Sequence, residues 1–364
     1  MKIVQLLPRL DEGGVERGVV ELSRELVKMG YESVVVSCGG KLVDTLLQDG
    51  ATHYELDVCS KNPLSMYSRV KLLKERLEEI KPDILHIRSR VPAWLVKFIK
   101  DDLNIPTVST VHGFNSVSIY SKVMTQSDRV ICVSGAIKEY IQTHYNTPNE
   151  KITVIPRGVD IDKFNPSNID KEFIREFKDR YELDERFIIS VVGRITQLKD
   201  IETFIKAISI LKTAKDDVVG LIVGGVASDK REYFEELKGM VRELSLEKHI
   251  IFTGSQDKIE QIYALSDVVV SSSKKPESFG RSVAEAIAMN TPVVATNHGG
   301  VLDIIKDDIN GYFYNVGDEE ELLQAILKAK ELEFNGYEYI SKNFTLKQMV
   351  DKTLGVYEAL NKDK

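Results

Sequence analysis

The segment Pro276-Glu277-Ser278-Phe279-Gly280-Arg281-Ser282-Val283-Ala284-Glu285 sets two carboxylates around the start of a helix. Paired carboxylates invite a hydrolytic reading, with one acid and one nucleophile on either side of a glycosidic bond. The spacing favours a different chemistry. The backbone N–H groups of Gly280, Arg281 and Ser282 would face the mouth of the loop and could hold an anion. Glu277 and Glu285 would then accept hydrogen bonds from hydroxyls, as on a ribose or a hexose. A helix-start charge and a surface Glu would explain either carboxylate singly, but not the whole segment.

Other residues point the same way. Gly193-Arg194, with Lys199 shortly after, puts two cations beside a helix start, where they could clamp a diphosphate. His112-Gly113 and Arg88-Ser89-Arg90 each follow an apolar run, and guanidinium forks suit carboxylate or phosphate. The turn Asp11-Glu12-Gly13-Gly14-Val15-Glu16 frees the backbone to approach a ligand. It lacks GxGxxG spacing, and Ser37-Cys38-Gly39-Gly40-Lys41 stands where a dinucleotide fold needs an acidic residue, so a nicotinamide cofactor is not expected.

These residues must be held by elements, and the pattern defines them. Short apolar runs alternate with helical stretches. Strands are expected at Lys2–Leu7, Ser33–Cys38, Asp83–Ile87, Thr107–Val111, Arg129–Val133 and Ile152–Ile155, with helices such as Val15–Met29, Tyr67–Ile80 and Gly135–Tyr145. The alternation breaks between Pro156 and about Asp184. A second series follows at Phe187–Val192, Val218–Val223, Ile250–Thr253, Val268–Ser271 and Pro292–Ala295, with helices including Ile201–Leu211, Arg231–Leu244, Ser282–Met289 and Glu319–Ala329. The expected fold class is α/β, with two doubly wound, Rossmann-like domains in tandem. Residues 1–165 form the first and 166–345 the second, followed by a last helix from Leu346. Ligands of such sheets bind beyond the carboxyl ends of the strands, where the candidate residues fall.

Composition narrows the function. The 364 residues carry a net charge of −7, but residues 1–165 hold 22 basic and 21 acidic side chains, so the remainder carries the negative excess. Nucleic acid is therefore not an expected partner. No apolar run is long enough to span a membrane, and the N-terminus does not read as a signal peptide. Cys38, Cys59 and Cys132 are far apart and show no ligand spacing, so neither a disulfide nor a metal site is expected, and the chain reads as a reduced, cytoplasmic protein.

Taken in order, Gly13-Gly14-x-Glu16, His112-Gly113, Val133-Ser134, Ile155-Pro156-x-Gly158-Val159-Asp160, Gly193-Arg194 with Lys199, Phe252-x-Gly254, Glu277–Glu285, Pro292–Thr296, Gly299-Gly300 and Asn310-Gly311 resemble the retaining nucleotide-sugar glycosyltransferases of family four, which have the GT-B fold. The resemblance covers nearly the whole chain. It implies a central cleft between the domains and a closing helix, Leu346–Leu360, that returns to the N-terminal domain. Arg194 and Lys199 would neutralise the departing diphosphate of a UDP- or GDP-linked sugar. Glu285 would hold the ribose, Glu277 the sugar hydroxyls, and the backbone of Phe279 and Gly280, with Arg281 and Ser282, the sugar and phosphate. Gly254 and Ser255 would lie near the base, Gly14 near the diphosphate, and His112 would orient the transferred hexose. No cofactor or metal is implied.

Three departures stand out. Arg157 replaces the family's usual Asn. Asp200 replaces a Gly and would bring a carboxylate near the phosphates. Asp160-Ile161-Asp162 spells a metal-binding DxD, but falls in the interdomain turn and reads as a linker. Arg88–Trp94 is similar to a segment of bacterial lipopolysaccharide-core transferases, some of them mannosyltransferases. With Lys97 and Lys100 it makes Arg88 and Arg90 candidates for an anionic glycan or lipid-linked saccharide acceptor, met at the cytoplasmic face of the inner membrane. A GT-B sugar-nucleotide epimerase or phosphorylase, or a non-catalytic sugar-nucleotide-binding protein, is the competing reading.

Overall fold

In the computed structural model, which describes residues 1–11, 13–214 and 217–362, the chain divides into two compact units. Glu12 of the glycine turn lies outside the described residues. The first unit spans Met1–Gly158 together with the chain from Leu346, and the second spans Val159–Thr345.

The first unit is built on seven strands: β1 (Lys2–Leu6), β2 (Glu32–Ser37), β3 (Thr52–Glu55), β4 (Ile84–Ile87), β5 (Thr107–Val111), β6 (Arg129–Cys132) and β7 (Ile152–Val154). All pair in parallel, in the order β3-β2-β1-β4-β5-β6-β7. Their period-two alternation sends Val4, Leu6, Leu85 and Ile87 to one face, where Leu73, Leu77 and Leu95 cover them. It sends Ile3, Ile84, Val108, Ile131 and Ile155 to the other, beneath helices Gly14–Lys28 and Leu346–Lys362. The last helix contributes Val350, Leu354 and Tyr357 to that core, so it completes the first unit.

The second unit has β8 (Phe187–Val192), β9 (Val218–Val223), β10 (Ile250–Gly254), β11 (Val268–Ser271), β12 (Val293–Thr296) and β13 (Gly311–Tyr314). They form a parallel sheet in the order β10-β9-β8-β11-β12-β13. Strands β3 and β13 were not foreseen. Both lie at a sheet edge, where only one neighbour demands apolar side chains, and Thr52-His53-Tyr54-Glu55 carries no apolar run.

The boundary falls earlier than residue 165. The Val159 N–H donates to Phe344 O at 2.8 Å, and Phe164 packs against Tyr263, which ties the turn to the second unit. Within that turn the Asp160 carboxylate accepts from the N–H groups of Asp162 and Lys163, both at 3.3 Å, so the DxD carboxylate caps a turn.

The cysteine expectation is corrected. Cys38 and Cys59 form a disulfide, with Cα atoms 6.3 Å apart. Parallel pairing of β2 and β3 sets Ser37 opposite Glu55, so the chain segments leaving both carboxyl ends converge. A separation of 21 residues across a crossover hides that proximity in the sequence. Cys132 is free and buried, and burial pushes its thiol up to about 12. Among the described residues, no helix is long and apolar enough to cross a membrane.

Because Leu354 is buried where the last helix meets the sheet, Leu354→Ala is expected to lower the unfolding free energy by about 2–5 kcal/mol in urea denaturation.

Candidate active site

In the second unit the sheet order reverses between β8 and β11, and the loops leaving these neighbours carry most of the candidate residues. The loop after β8 runs through Gly193 and Arg194 to Lys199. The loop after β11 runs through Ser272 and Glu277 to helix Arg281–Ala288. They are sewn together: Ser272 Oγ donates to Lys199 O at 2.6 Å, and the Lys274 N–H donates to Leu198 O at 2.8 Å. The structure therefore brings Lys199 to Glu277, Nζ to Oε1 at 2.5 Å, and Ser273 Oγ donates to the same oxygen at 2.6 Å.

Burial would raise the Glu277 carboxyl. The Lys199 charge and the hydrogen bonds from Lys199 and Ser273 outweigh it and hold the pKa below its ordinary 4.5. Gly299 and Gly300 press on the Glu277 loop from behind. A Cβ on Gly299 would sit 2.5 Å from Glu277 O, and one on Gly300 would sit 2.4 Å from Ser278 O. This contact explains the glycine pair, and Gly300 N–H donates to Glu277 O at 2.6 Å.

Gly280 caps the helix at φ +99°. The first intrahelical bonds run from Val283 and Ala284 back to Gly280 O, which leaves the N–H groups of Arg281 and Ser282 directed out of the helix start. Phe279 is buried against Phe344, so it offers backbone, not ring, to the loop mouth. Glu285 accepts from the buried Tyr263 Oη at 3.1 Å. Arg194 is exposed, as are Gly254 at the end of β10 and Ser255 after it.

Asp200 behaves differently from expectation. It sits at φ +47°, the left-handed region that favours Gly, and its side chain is buried. Oδ2 accepts from Thr203 Oγ1 at 2.9 Å, and Oδ1 pairs with Lys274 at 3.2 Å. The carboxylate is thus engaged by Thr203 and Lys274, not presented beside Lys199 to a phosphate.

In the first unit the order reverses between β1 and β4. Gly14 opens the helix after β1, and a Cβ there would meet nothing within 4 Å among the described residues. Arg88, Arg90 and His112, from the ends of β4 and β5, line one cavity of about 220 Å³ together with Ser89, Thr110 and Asn115. Beneath it lies a polar layer that sequence reasoning missed. His86 is fully buried, with Nδ1 2.5 Å from Tyr357 Oη and Nε2 2.7 Å from Thr110 Oγ1. Arg157 Nη2 donates to His112 Nδ1 at 3.1 Å. The spacing Ile84-His86-Arg88 was the available signal, since alternate strand residues share a face. Burial, then the charges of nearby arginines, pushes the pKa of both His86 and His112 well below 6.5. Burial likewise lowers Arg88 to about 10.

Two successive parallel α/β units, the second followed by a helix that completes the first, define the GT-B class of α/β proteins. The comparisons agree. Residues 12–163 match the family model described as Glycosyltransferase Family 4, and residues 172–346 match Glycosyl transferases group 1. A crystal structure of a glycosyltransferase from Rickettsia africae is 30% identical with a TM-score of 0.91, covering 100% of this chain and 99% of that one. The chain belongs to this family of glycosyltransferases. It is also similar to the N-acetyl-alpha-D-glucosaminyl L-malate synthase of Bacillus anthracis, 26% identical over 370 residues that span 95% of this chain and 93% of the relative. The Anabaena protein HepE, solved with UDP and glucose, shares the fold at 21% identity and a TM-score of 0.84, covering 98% and 99% of the two chains.

The neutral histidines set a pH dependence. Their folded pKa values lie below the unfolded 6.5, so the unfolded chain binds more protons as pH falls through that value. Stability is expected to be full at about pH 7.5 and to decline steadily toward about pH 5. Urea midpoints should show this slope, and it should flatten in His86→Gln.

Proposed function

We propose that the enzyme transfers a hexose, with retention of configuration and without a metal, from a UDP- or GDP-linked donor to a saccharide acceptor. The observation that carries this reading is the Lys199–Glu277 pair, joined where the loops of β8 and β11 meet. A lysine held by one carboxylate is poised to exchange that partner for a diphosphate, which releases Glu277 toward sugar hydroxyls. Arg194 adds a second, exposed cation. As the bond between the sugar and phosphate breaks, negative charge grows on the leaving diphosphate. Cations already in place stabilise it with little reorganisation. Glu285, steadied by Tyr263, holds the ribose, the N–H groups of Gly280, Arg281 and Ser282 face phosphate and sugar, and Gly254 and Ser255 lie toward the base. The leaving phosphate takes the acceptor proton on the face it departs from.

On this reading the acceptor belongs to lipopolysaccharide core or another bacterial surface glycan, with mannose among the candidate sugars, and is met at the cytoplasmic face of the membrane. A surface on the first unit supports peripheral contact. Trp94 stacks on Tyr120, Lys97 Nζ lies 4.8 Å from the Trp94 ring centre, and Phe98 and Ile119 are exposed. HepE, solved with UDP-glucose, supports a uridine donor.

A thermal-shift series with UDP, GDP and ADP should raise Tm with the cognate nucleotide. Slow hydrolysis of the cognate donor should fall about 100-fold or more in Lys199→Ala and in Glu285→Ala. Unchanged hydrolysis in both would overturn the site.

A further inference from the structure

The polar face of the first unit's sheet changes character along its strands. Ile84, Val108, Ile131 and Ile155 give an apolar layer. Gln5, His86 and Thr110 follow, all buried, and Arg88, His112 and Arg157 come last at the carboxyl ends. Each of the last three sits two residues beyond a member of a lower layer, so one face delivers cationic and polar groups to one end of the sheet.

The hydrogen bonds fix the sense of these groups. Arginine only donates, so the Arg157 contact makes His112 Nδ1 the acceptor and puts the ring proton on Nε2. That Nε2–H is buried and has no hydrogen-bond partner among the described residues. Tyr357 is fully buried, and burial raises its pKa, so it keeps its proton beside His86 Nδ1. His86 Nε2 in turn meets Thr110 Oγ1 at 2.7 Å, so the threonine hydroxyl belongs to the same polar layer. Arg88 is 6% exposed, and its Nε–H is likewise buried without a partner among the described residues. Arg88, Thr110 and His112 line two adjoining cavities. Buried donors without acceptors are costly unless a ligand supplies oxygen atoms. The ionisable groups that raise Arg88 against its burial are Tyr357, which is protonated, and Glu21, neither of which lines the larger cavity.

We propose that the larger cavity, lined by Thr110, binds a carboxylate or phosphate group carried by a substrate, held by Arg88 Nε–H and His112 Nε2–H. Arg157 is a positioning residue that sets the His112 tautomer. The proposal rests on the glycosyltransferase reading only in calling the ligand a substrate, and it narrows that substrate to an anionic one. Neutral hexoses on both donor and acceptor would leave the two buried N–H donors facing weaker acceptors.

The test is titration of the full chain, labelled with ¹⁵N-histidine, with inorganic phosphate, read by two-bond ¹H–¹⁵N correlation. His112 is expected to show the Nε2–H tautomer and a saturable shift, with His249 and His298 unmoved. Arg88→Met should weaken phosphate binding about tenfold or more. If that variant does not fold, Arg88→Gln makes the same comparison. An unmoved His112 signal at about 50 mM phosphate, or equal affinity in the variants, overturns the proposal. Two further arms locate the group. Tighter binding of UDP-glucuronate than UDP-glucose, with loss of phosphate binding, places the anion on the transferred sugar. Phosphate that still shifts His112 beside bound UDP-glucose places it on the acceptor. Donor hydrolysis is measured separately, so its absence would refute the transferase reading while phosphate binding still decides the anion site.

Discussion

Parallel pairing of β8 with β11, in register from Val268 opposite Ile189 to Val270 opposite Val191, is the constraint on which the second unit's chemistry depends. Strands adjacent in space but distant in sequence end side by side, and each sends its chain away through a loop at the same edge. No other pairing would bring Lys199 and Glu277, which are 78 residues apart, to a single hydrogen bond. Register matters as much as adjacency, because a slip of one residue would turn every side chain to the opposite face. The loop-to-loop bonds from Ser272 and Lys274 secure what the register establishes. The same logic operates at β1 and β4 in the first unit.

The two units handle buried charge in opposite ways. At Lys199 and Glu277 a cation and a carboxylate satisfy each other, with both side chains about one-quarter exposed. Removing either partner leaves a partly desolvated charge, whereas a ligand that brings its own anion can exchange with one of them. In the first unit, Arg88 and Arg157 lie against imidazoles held neutral by burial. A second positive charge on either ring would raise the cost of the cluster, which is why the histidines titrate only well below their ordinary range. Coulombic repulsion is therefore contained by keeping the rings uncharged, and the rings still orient hydrogen bonds.

Much of this organisation was legible in the sequence. Continuous apolar runs such as Val218–Val223 became central strands with unchanged bounds, because strands buried on both faces admit little else. Helices Gly135–Tyr145 and Glu319–Ala329 also kept their bounds, each with a side-chain cap, from Ser134 and Asp318 respectively. Edge strand β3, with no apolar run, escaped notice for the converse reason, whereas β7 and β10, also at sheet edges, were expected from theirs. The Cys38–Cys59 bridge escaped because strand adjacency, not sequence spacing, creates it. Within the site, residues that punctuate strand ends were visible, but those acting through a neighbour were not. Tyr263 reads as an apolar helix residue until its hydroxyl is found on Glu285, and Asp200 reads as an intrusive charge until its backbone and partners are seen.

Arg157 shows why a departure from a family pattern has to be read with its surroundings. A guanidinium at the end of this sheet face needs space against the overlying helix, and Gly18 supplies it. A Cβ on Gly18 would lie 1.8 Å from Arg157 Nη1. Glycine inside a helix costs about 1 kcal/mol relative to Ala, so Gly18 is unfavourable for helix Gly14–Lys28 taken alone. It is compatible with the fold because it admits Arg157, which in turn determines which nitrogen of His112 carries the proton. Gly18 and Arg157 are thus one device in two parts of the chain: local helix stability is given up where a buried cation must orient an imidazole.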